Sequence, residues 1–180
     1  MHGVVSLFDE KNDSIVKSIW KDLEREFKIR GAYRTPYPHF SYHIASDYQF
    51  ERLDSALKSI AKKQRPFTVT AGGLGLFTGP ASVLYIPVTR TLELSKLHGA
   101  LLGRIGLLGD GGSAFYNPEF WTPHITLAMT DLSQEDLPRV VGRLNTRKTD
   151  LRIKVDNLAV IKDDGKSQVV SSRYPFKGSA

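Results

Sequence analysis

Pro38-His39-Phe40-Ser41-Tyr42 and Pro123-His124-Ile125-Thr126-Leu127 share one pattern, Pro-His-apolar-hydroxyl-apolar. Both stretches run on in β-forming residues without a breaker, so both read as strands, over 39–45 and 124–129. Side chains alternate across a strand. His39, Ser41 and His43 are therefore expected on one face, with Phe40, Tyr42 and Ile44 on the other. In the second copy His124, Thr126 and Ala128 share a face, and Ile125, Leu127 and Met129 share its opposite. The apolar rows must pack against helices, which leaves the His/hydroxyl rows free to face each other. The repeat predicts two similar lobes, each placing one motif strand beside a shared cleft.

The surrounding sequence supports a mixed architecture. Each motif strand is followed by a capping-box pattern, Ser46-x-x-Gln49 and Ser133-x-x-Asp136, of the kind that opens a helix. The helices carry Phe50, Leu53, Leu57 and Ile60 in one copy, and Leu137, Val140, Val141 and Leu144 in the other. Upstream, residues 4–8 read as a strand. Asn12 and Asp13 are placed to cap a helix striped by Ile15, Val16, Ile19, Trp20, Leu23 and Phe27. Strands over 67–71 and 83–88 flank a glycine-rich turn at 72–80. Leu94, Leu97, Leu101 and Ile105 stripe a further helix. A loop over 107–123 holds Phe115, Tyr116, Phe120 and Trp121. Strands over 151–160 and 168–176 are expected to close the chain as a hairpin across Asp163, Asp164 and Gly165. No low-complexity linker divides the halves, so residues 1–180 are read as a single bilobal α+β domain.

Composition narrows the chemistry. The 180 residues contain no cysteine, which excludes disulfides, thiolate metal sites and a cysteine nucleophile. No apolar run approaches the roughly 18 residues of a membrane span, and the N-terminus lacks the form of a signal peptide; the expectation is a cytoplasmic protein with no membrane partner. Lys and Arg outnumber Asp and Glu by 25 to 19, a formal +6, which favours an anionic ligand such as a phosphate ester or an RNA end. Lys62, Lys63 and Arg65 read more simply as a solvated helix C-terminus that complements the helix dipole.

Two histidines facing each other suit phosphodiester chemistry. Imidazole, with an ordinary pKa of about 6.5, exchanges protons near neutrality. One ring can take the proton of an attacking water while the other protonates the departing ester oxygen. Ser41 and Thr126 can donate to the non-bridging phosphate oxygens. His39 and His43, four residues apart on a strand, have backbones about 13 Å apart and cannot share one ion at ligand distances of about 2 Å; neither a metal nor a cofactor is expected. The segments 72–75 and 111–113 fit neither a phosphate-binding loop nor a nucleophile elbow. His98, within a helix, and His2, at the terminus, read as incidental.

The paired stretches resemble the two His-x-Thr/Ser-hydrophobic motifs of the 2H phosphoesterase superfamily, which includes the 2′-5′ RNA ligase-like proteins and cyclic phosphodiesterases. The resemblance extends over nearly the whole chain. It implies two pseudo-symmetric lobes, each a small antiparallel sheet with helices outside, facing across a cleft. It implies metal-free action on 2′,3′-cyclic or 1″,2″-cyclic phosphates or on 2′-5′ RNA linkages, with His39 and His124 as the acid–base pair and Ser41 and Thr126 holding the phosphate. Serine replaces the commoner threonine in the first motif but keeps the hydroxyl. Loop and strand residues expected to touch substrate are Tyr33, Arg34, Tyr37, His43, Tyr116, Phe120, Trp121 and Arg173. The substrate expected is a cyclic-phosphate nucleotide or an RNA end, on a monomer. The competing reading is a non-catalytic module that binds an RNA end or a nucleotide in the same cleft.

Overall fold

Proline cannot donate to a β-ladder and is confined to strand starts and edges. Both motif strands accordingly begin at the residue after one, at His39 and at His124. The computed structural model describes residues 1–79, 81–165 and 167–178. In chain order the elements are β1 (His2–Leu7), α1 (Glu10–Phe27), β2 (His39–Ala45), β3 (Asp47–Tyr48), α2 (Phe50–Lys63), β4 (Phe67–Ala71), β5 (Gly75–Phe77) and β6 (Val83–Pro87). They continue as α3 (Leu92–Ile105), β7 (Gly109–Asp110), β8 (His124–Ala128), α4 (Leu137–Asn145), β9 (Leu151–Val155), β10 (Asn157–Asp163) and β11 (Gln168–Pro175).

Two antiparallel sheets carry the motifs. The first has the order β11-β10-β1-β2, with the His39 strand at its edge. In the second, β5 and β8 flank β6, and β4 pairs with β9. A bridge between Ala71 and Val88 joins these two pieces. Thr89 N–H also donates to the Thr70 carbonyl at 2.7 Å. The strands β4 and β5 therefore act as one bent strand, and the lobe reads β9-β4/β5-β6-β8 with the His124 strand at its edge. Both lobes thus present their motif on an edge strand, and β2 and β8 lie against each other.

The helices cover the sheets in a chain-crossed way. Helices α2 and α3 pack on β2, β10 and β11, while α1 packs on β8 and β9. Helix α4 and the turn after it are tied to α1, by Arg143 to Glu26 at 2.7 Å and by Arg147 to Asp22 respectively. Phe40, Leu53, Leu57 and Leu101 are buried on one side, and Ile19, Leu23, Ile125 and Val140 on the other. Removing each such side chain from water is worth about 1.5–3 kcal/mol.

Several local expectations are corrected. The cap of α1 is Asp9, whose carboxylate accepts from the Asn12 N–H at 2.9 Å; Asn12 instead spends its amide on Asp9 and on the Arg152 carbonyl. Ser46-x-x-Gln49 is not a capping box. Ser46 Oγ donates to the Asp110 carbonyl at 2.8 Å, and Asp47 and Tyr48 pair with β7. Ser133 Oγ accepts from the Asp136 N–H at 3.0 Å and donates to its carboxylate at 2.7 Å, but this pair closes the turn ahead of α4, whose N-cap is Asp136 with no side-chain cap bond. The run 151–160 is two strands: Leu151–Val155 pairs with β4 in one sheet, and Asn157–Asp163 with β1 and β11 in the other. The glycine-rich turn contains β5, and its last residue, Pro80, lies outside the described residues. Among the described residues no helix is long and apolar enough to cross a membrane.

Candidate active site

The residue before a proline is pushed into extended backbone, and in both motifs that residue turns its carbonyl onto the histidine. His39 Nδ1 lies 2.6 Å from the Tyr37 carbonyl, and His124 Nδ1 lies 2.7 Å from the Thr122 carbonyl. A carbonyl only accepts, so each Nδ1 carries the proton and each neutral ring keeps Nε2 as a bare acceptor. The two histidines share one tautomer for one reason, the X-Pro-His sequence.

Both rings line a single cavity of about 900 Å³, together with Ser41 and Thr126. Burial is the main cause holding both imidazoles below their ordinary pKa; the carbonyl contacts pull each back upward, and the charge of His124 pushes His39 down further. His124 is wedged between Phe77, edge-on at 4.9 Å, and Tyr85 at 5.1 Å. Gly75 makes room for this wedge: a Cβ there would sit 2.3 Å from the Tyr85 ring. The Tyr116 hydroxyl sits beside Ser41, and burial pushes it up to about 12.

The expected alternation stops one residue past each hydroxyl. On β2 the register runs Val5 to Ser41 and then Val4 to His43, so Tyr42 is the extra residue of a bulge. On β8 it runs Tyr85 to Thr126 and then Leu84 to Ala128, so Leu127 is extra. A bulge resets the faces beyond it. His43 is consequently buried, 6% exposed, and sits off the cavity with Nδ1 2.6 Å from the Tyr48 hydroxyl. Ala128 is likewise turned into the core, whereas Ile44 and Met129 line the cavity.

Of the other expected contacts, Arg34, Tyr116, Phe120 and Trp121 line the cavity. Arg34 is engaged with Asp163 at 2.9 Å, and that guanidinium, with the Gly165 N–H and Gln168, holds the carboxyl well below its usual range. Tyr33 is turned away, packed edge-on against Trp20 at 5.7 Å. Tyr37 contributes its carbonyl rather than its ring. Arg173 lies in a separate shallow groove with Lys154, Asp156 and Pro175, because the outer strand β11 carries it away from the motif edge. His2, incidental by its place in the sequence, lines the cavity, its Nδ1 accepting from the Asp163 N–H at 3.2 Å. Thr122, Phe77 and Tyr85 are not singled out by the sequence; only Thr122 carries a signal, its place two residues before the second histidine. Phe115, read as a loop aromatic but not as a substrate contact, lines the cavity and is exposed. Among the described residues no group of three or more His, Cys, Asp or Glu side chains is placed to hold a metal ion.

The chain is similar to known proteins both in sequence and in fold. In sequence the chain is 31% identical over 116 residues to a “Putative phosphoesterase” of Bacillus mycoides and 32% identical over 114 residues to one of Bacillus cereus. Each match covers 61% of this chain and 61% of the relative, so the likeness spans about three fifths of either protein. In structure it superposes on TT0787 of Thermus thermophilus with a TM-score of 0.67 at 17% identity, over 99% of both chains. It superposes on E. coli LigT, solved with NADP+, with a TM-score of 0.61 at 14% identity over 97% and 96% of the two chains. LigT has also been solved with 3′-AMP. The family model for the 2′-5′ RNA ligase superfamily matches residues 12–167. The paired motif edges and this match over most of the sequence together place the chain in the 2′-5′ RNA ligase superfamily, among the 2H phosphoesterases.

Proposed function

We propose that the protein opens 2′,3′-cyclic or 1″,2″-cyclic phosphates, or cleaves 2′-5′ RNA linkages, by metal-independent acid–base catalysis between His39 and His124. The observation that carries this reading is the matched pair of imidazoles, each locked with Nδ1–H on a carbonyl, lining one cavity with two hydroxyls. One Nε2 takes the proton of a water as its oxygen bonds to phosphorus. The other, having first bound a proton, gives it to the 2′ or 3′ oxygen as that P–O bond breaks. Ser41 and Thr126 donate to the non-bridging oxygens where charge grows. The product is a phosphomonoester with a free neighbouring hydroxyl.

The test is turnover of nucleoside 2′,3′-cyclic monophosphates in EDTA as a function of pH. The productive free enzyme has one ring protonated and one bare. Both rings are held below about 6.5 by burial, so the singly protonated form peaks on the acid side of that value. The kcat/KM profile is expected to be a bell with its maximum below pH 6.5 and a falling alkaline limb. A maximum at or above about pH 7.5 contradicts the site electrostatics. Saturable nucleotide binding without turnover on mononucleotide, RNA and ADP-ribose cyclic phosphates would favour the binding-module reading instead.

The base of the substrate has a place to rest. Phe115 and Phe120 line the cavity yet are 78% and 60% exposed, which suits stacking on a nucleobase. Phe115→Ala and Phe120→Ala are expected to raise KM by about 5-fold to 100-fold with kcat nearly unchanged, the range of one lost base stack. A cyclic phosphate lacking a base, such as glycerol 1,2-cyclic phosphate, should show no such change in steady-state assays.

A further inference from the structure

An edge strand leaves main-chain carbonyls without a ladder partner, and a buried one must find a donor elsewhere. The two motif strands solve this in the same way. The Trp121 indole N–H donates to the Ser41 carbonyl at 2.9 Å, and the Trp20 indole N–H donates to the Thr126 carbonyl at 3.0 Å. These are the chain's two tryptophans. They stand 80 and 106 residues from their acceptors, one on a loop and one on α1, and are 3% and 4% exposed. Two positions unrelated in sequence thus make one contact to the same point of the repeat.

The point is informative. The bonded carbonyls belong to the hydroxyl residues, and the peptide units they sit on lead into the bulged residues Tyr42 and Leu127. A bulge loosens the ladder where it occurs, so the orientation of each hydroxyl depends on what else holds that peptide. Indole is well suited to hold it, because its N–H only donates and its ring is fixed by packing. Trp121 is stacked on His98 at 3.7 Å and on Tyr42 at 5.8 Å, and Trp20 is packed on Tyr33.

We infer that Trp121 and Trp20 are positioning residues, which fix the peptide units of Ser41 and Thr126 and through them aim the two hydroxyls at the phosphate. The inference rests on the reading of those hydroxyls as phosphate contacts. It makes each tryptophan act through one hydroxyl only, in a crossed pairing: Trp121 with Ser41, Trp20 with Thr126.

The experiment is a pair of double-mutant cycles read as kcat and KM on 2′,3′-cyclic AMP. Trp121→Phe is expected to lower kcat by up to about 10²-fold, the scale of a small misplacement of a reacting group. In a Ser41→Ala background the same change should cost less than about threefold more, while in Thr126→Ala it should cost its full factor. Trp20→Phe should show the reverse pairing. Equal losses in every background, tracking the melting temperature, would mean a structural role and overturn the inference. Replacement by benzothienylalanine, which keeps the indole shape without the N–H, supplies the same comparison if phenylalanine impairs folding. In the unmodified protein both indole N–H resonances should exchange slowly with solvent and shift on addition of inorganic phosphate; an indole N–H exchanging at the free rate would also overturn it. If Ser41→Ala and Thr126→Ala keep the full rate, the site reading itself fails; if they lose it and the tryptophan variants do not, only the positioning role fails.

Discussion

Alanine at His39 or at His124 is expected to lower kcat/KM on 2′,3′-cyclic nucleotides by about 10²–10⁴-fold, and the double variant should fall little further. The size follows from the division of labour. On the proposed mechanism one turnover needs a bare Nε2 and a protonated Nε2 at once, so the loss of either stops the same event. Non-additivity follows for the same reason: once one proton transfer is gone, the second ring has nothing to complete. The variants should remain folded. Each histidine spends its ring hydrogen bond on a loop carbonyl, and one such bond is worth about 1 kcal/mol. Circular dichroism and the melting temperature check integrity, and steady-state rates check the chemistry. A single variant that keeps its rate within about tenfold would remove that histidine from the proton-transfer roles.

The sequence is most legible where a local rule acts. The strand starts follow from Pro38 and Pro123 and can be read directly, whereas the Ser133–Asp136 pair closes a turn before α4 rather than capping it. The edges of that legibility are instructive. Strict alternation puts His43 in the cleft, yet Tyr42 is bulged against β1 and the face flips. Nothing in Tyr42 or Leu127 marks a bulge; it is set by the register of β1 and β6, which only the folded sheet defines. The run 151–160 likewise contains no breaker, and it splits because Leu151–Val155 finds β4 while Asn157–Asp163 finds β1.

Buried polar contacts are the least legible part of the site. Trp20 fits the apolar stripe of α1 and reads as core, and it is core by burial. Its N–H partner, Thr126, lies 106 residues away, beyond any periodicity argument. The lobes are also not the two halves of the chain: α1 from the first half covers β8 and β9, and α2 and α3 cover the sheet of β2. This crossing brings each tryptophan to the motif held by the other half. The repeat therefore announces the pair of sites, while the bracing between them comes from the way the chain crosses.

Acid is expected to destabilise the fold through His98, which its sequence position gives no reason to single out. The ring is 0% exposed and is stacked face to face on Trp121. Its Nε2–H donates to the Tyr42 carbonyl at 3.2 Å, on the strand that carries His39. Burial is the largest cause lowering its pKa to about 4; Arg90 and His43 push the same way, and the Tyr42 and Tyr116 carbonyls push against it. In the unfolded chain the group titrates near 6.5. Above pH 6.5 it is neutral in both states and costs nothing. As pH falls from 6.5 toward 4 the unfolded chain binds a proton that the folded one refuses, so stability drops until both states are protonated. At pH 5 this single group should have removed about 2 kcal/mol, since each pH unit travelled inside that window costs about 1.4 kcal/mol. Carboxylates with lowered pKa values, such as Glu26 at about 2, act in a lower window, because they lose their contribution only as pH falls below about 4.5. Urea unfolding of the native protein and of His98→Gln at pH 7.5 and pH 5 isolates the effect, since every other titrating group is common to both. The substitution should be costly at pH 7.5, and its cost should shrink by about 2 kcal/mol at pH 5. A gap unchanged to within about 0.5 kcal/mol would show that His98 takes up its proton in the folded protein as readily as in the unfolded chain, and that the His98–Trp121 stack under the Ser41 strand tolerates charge.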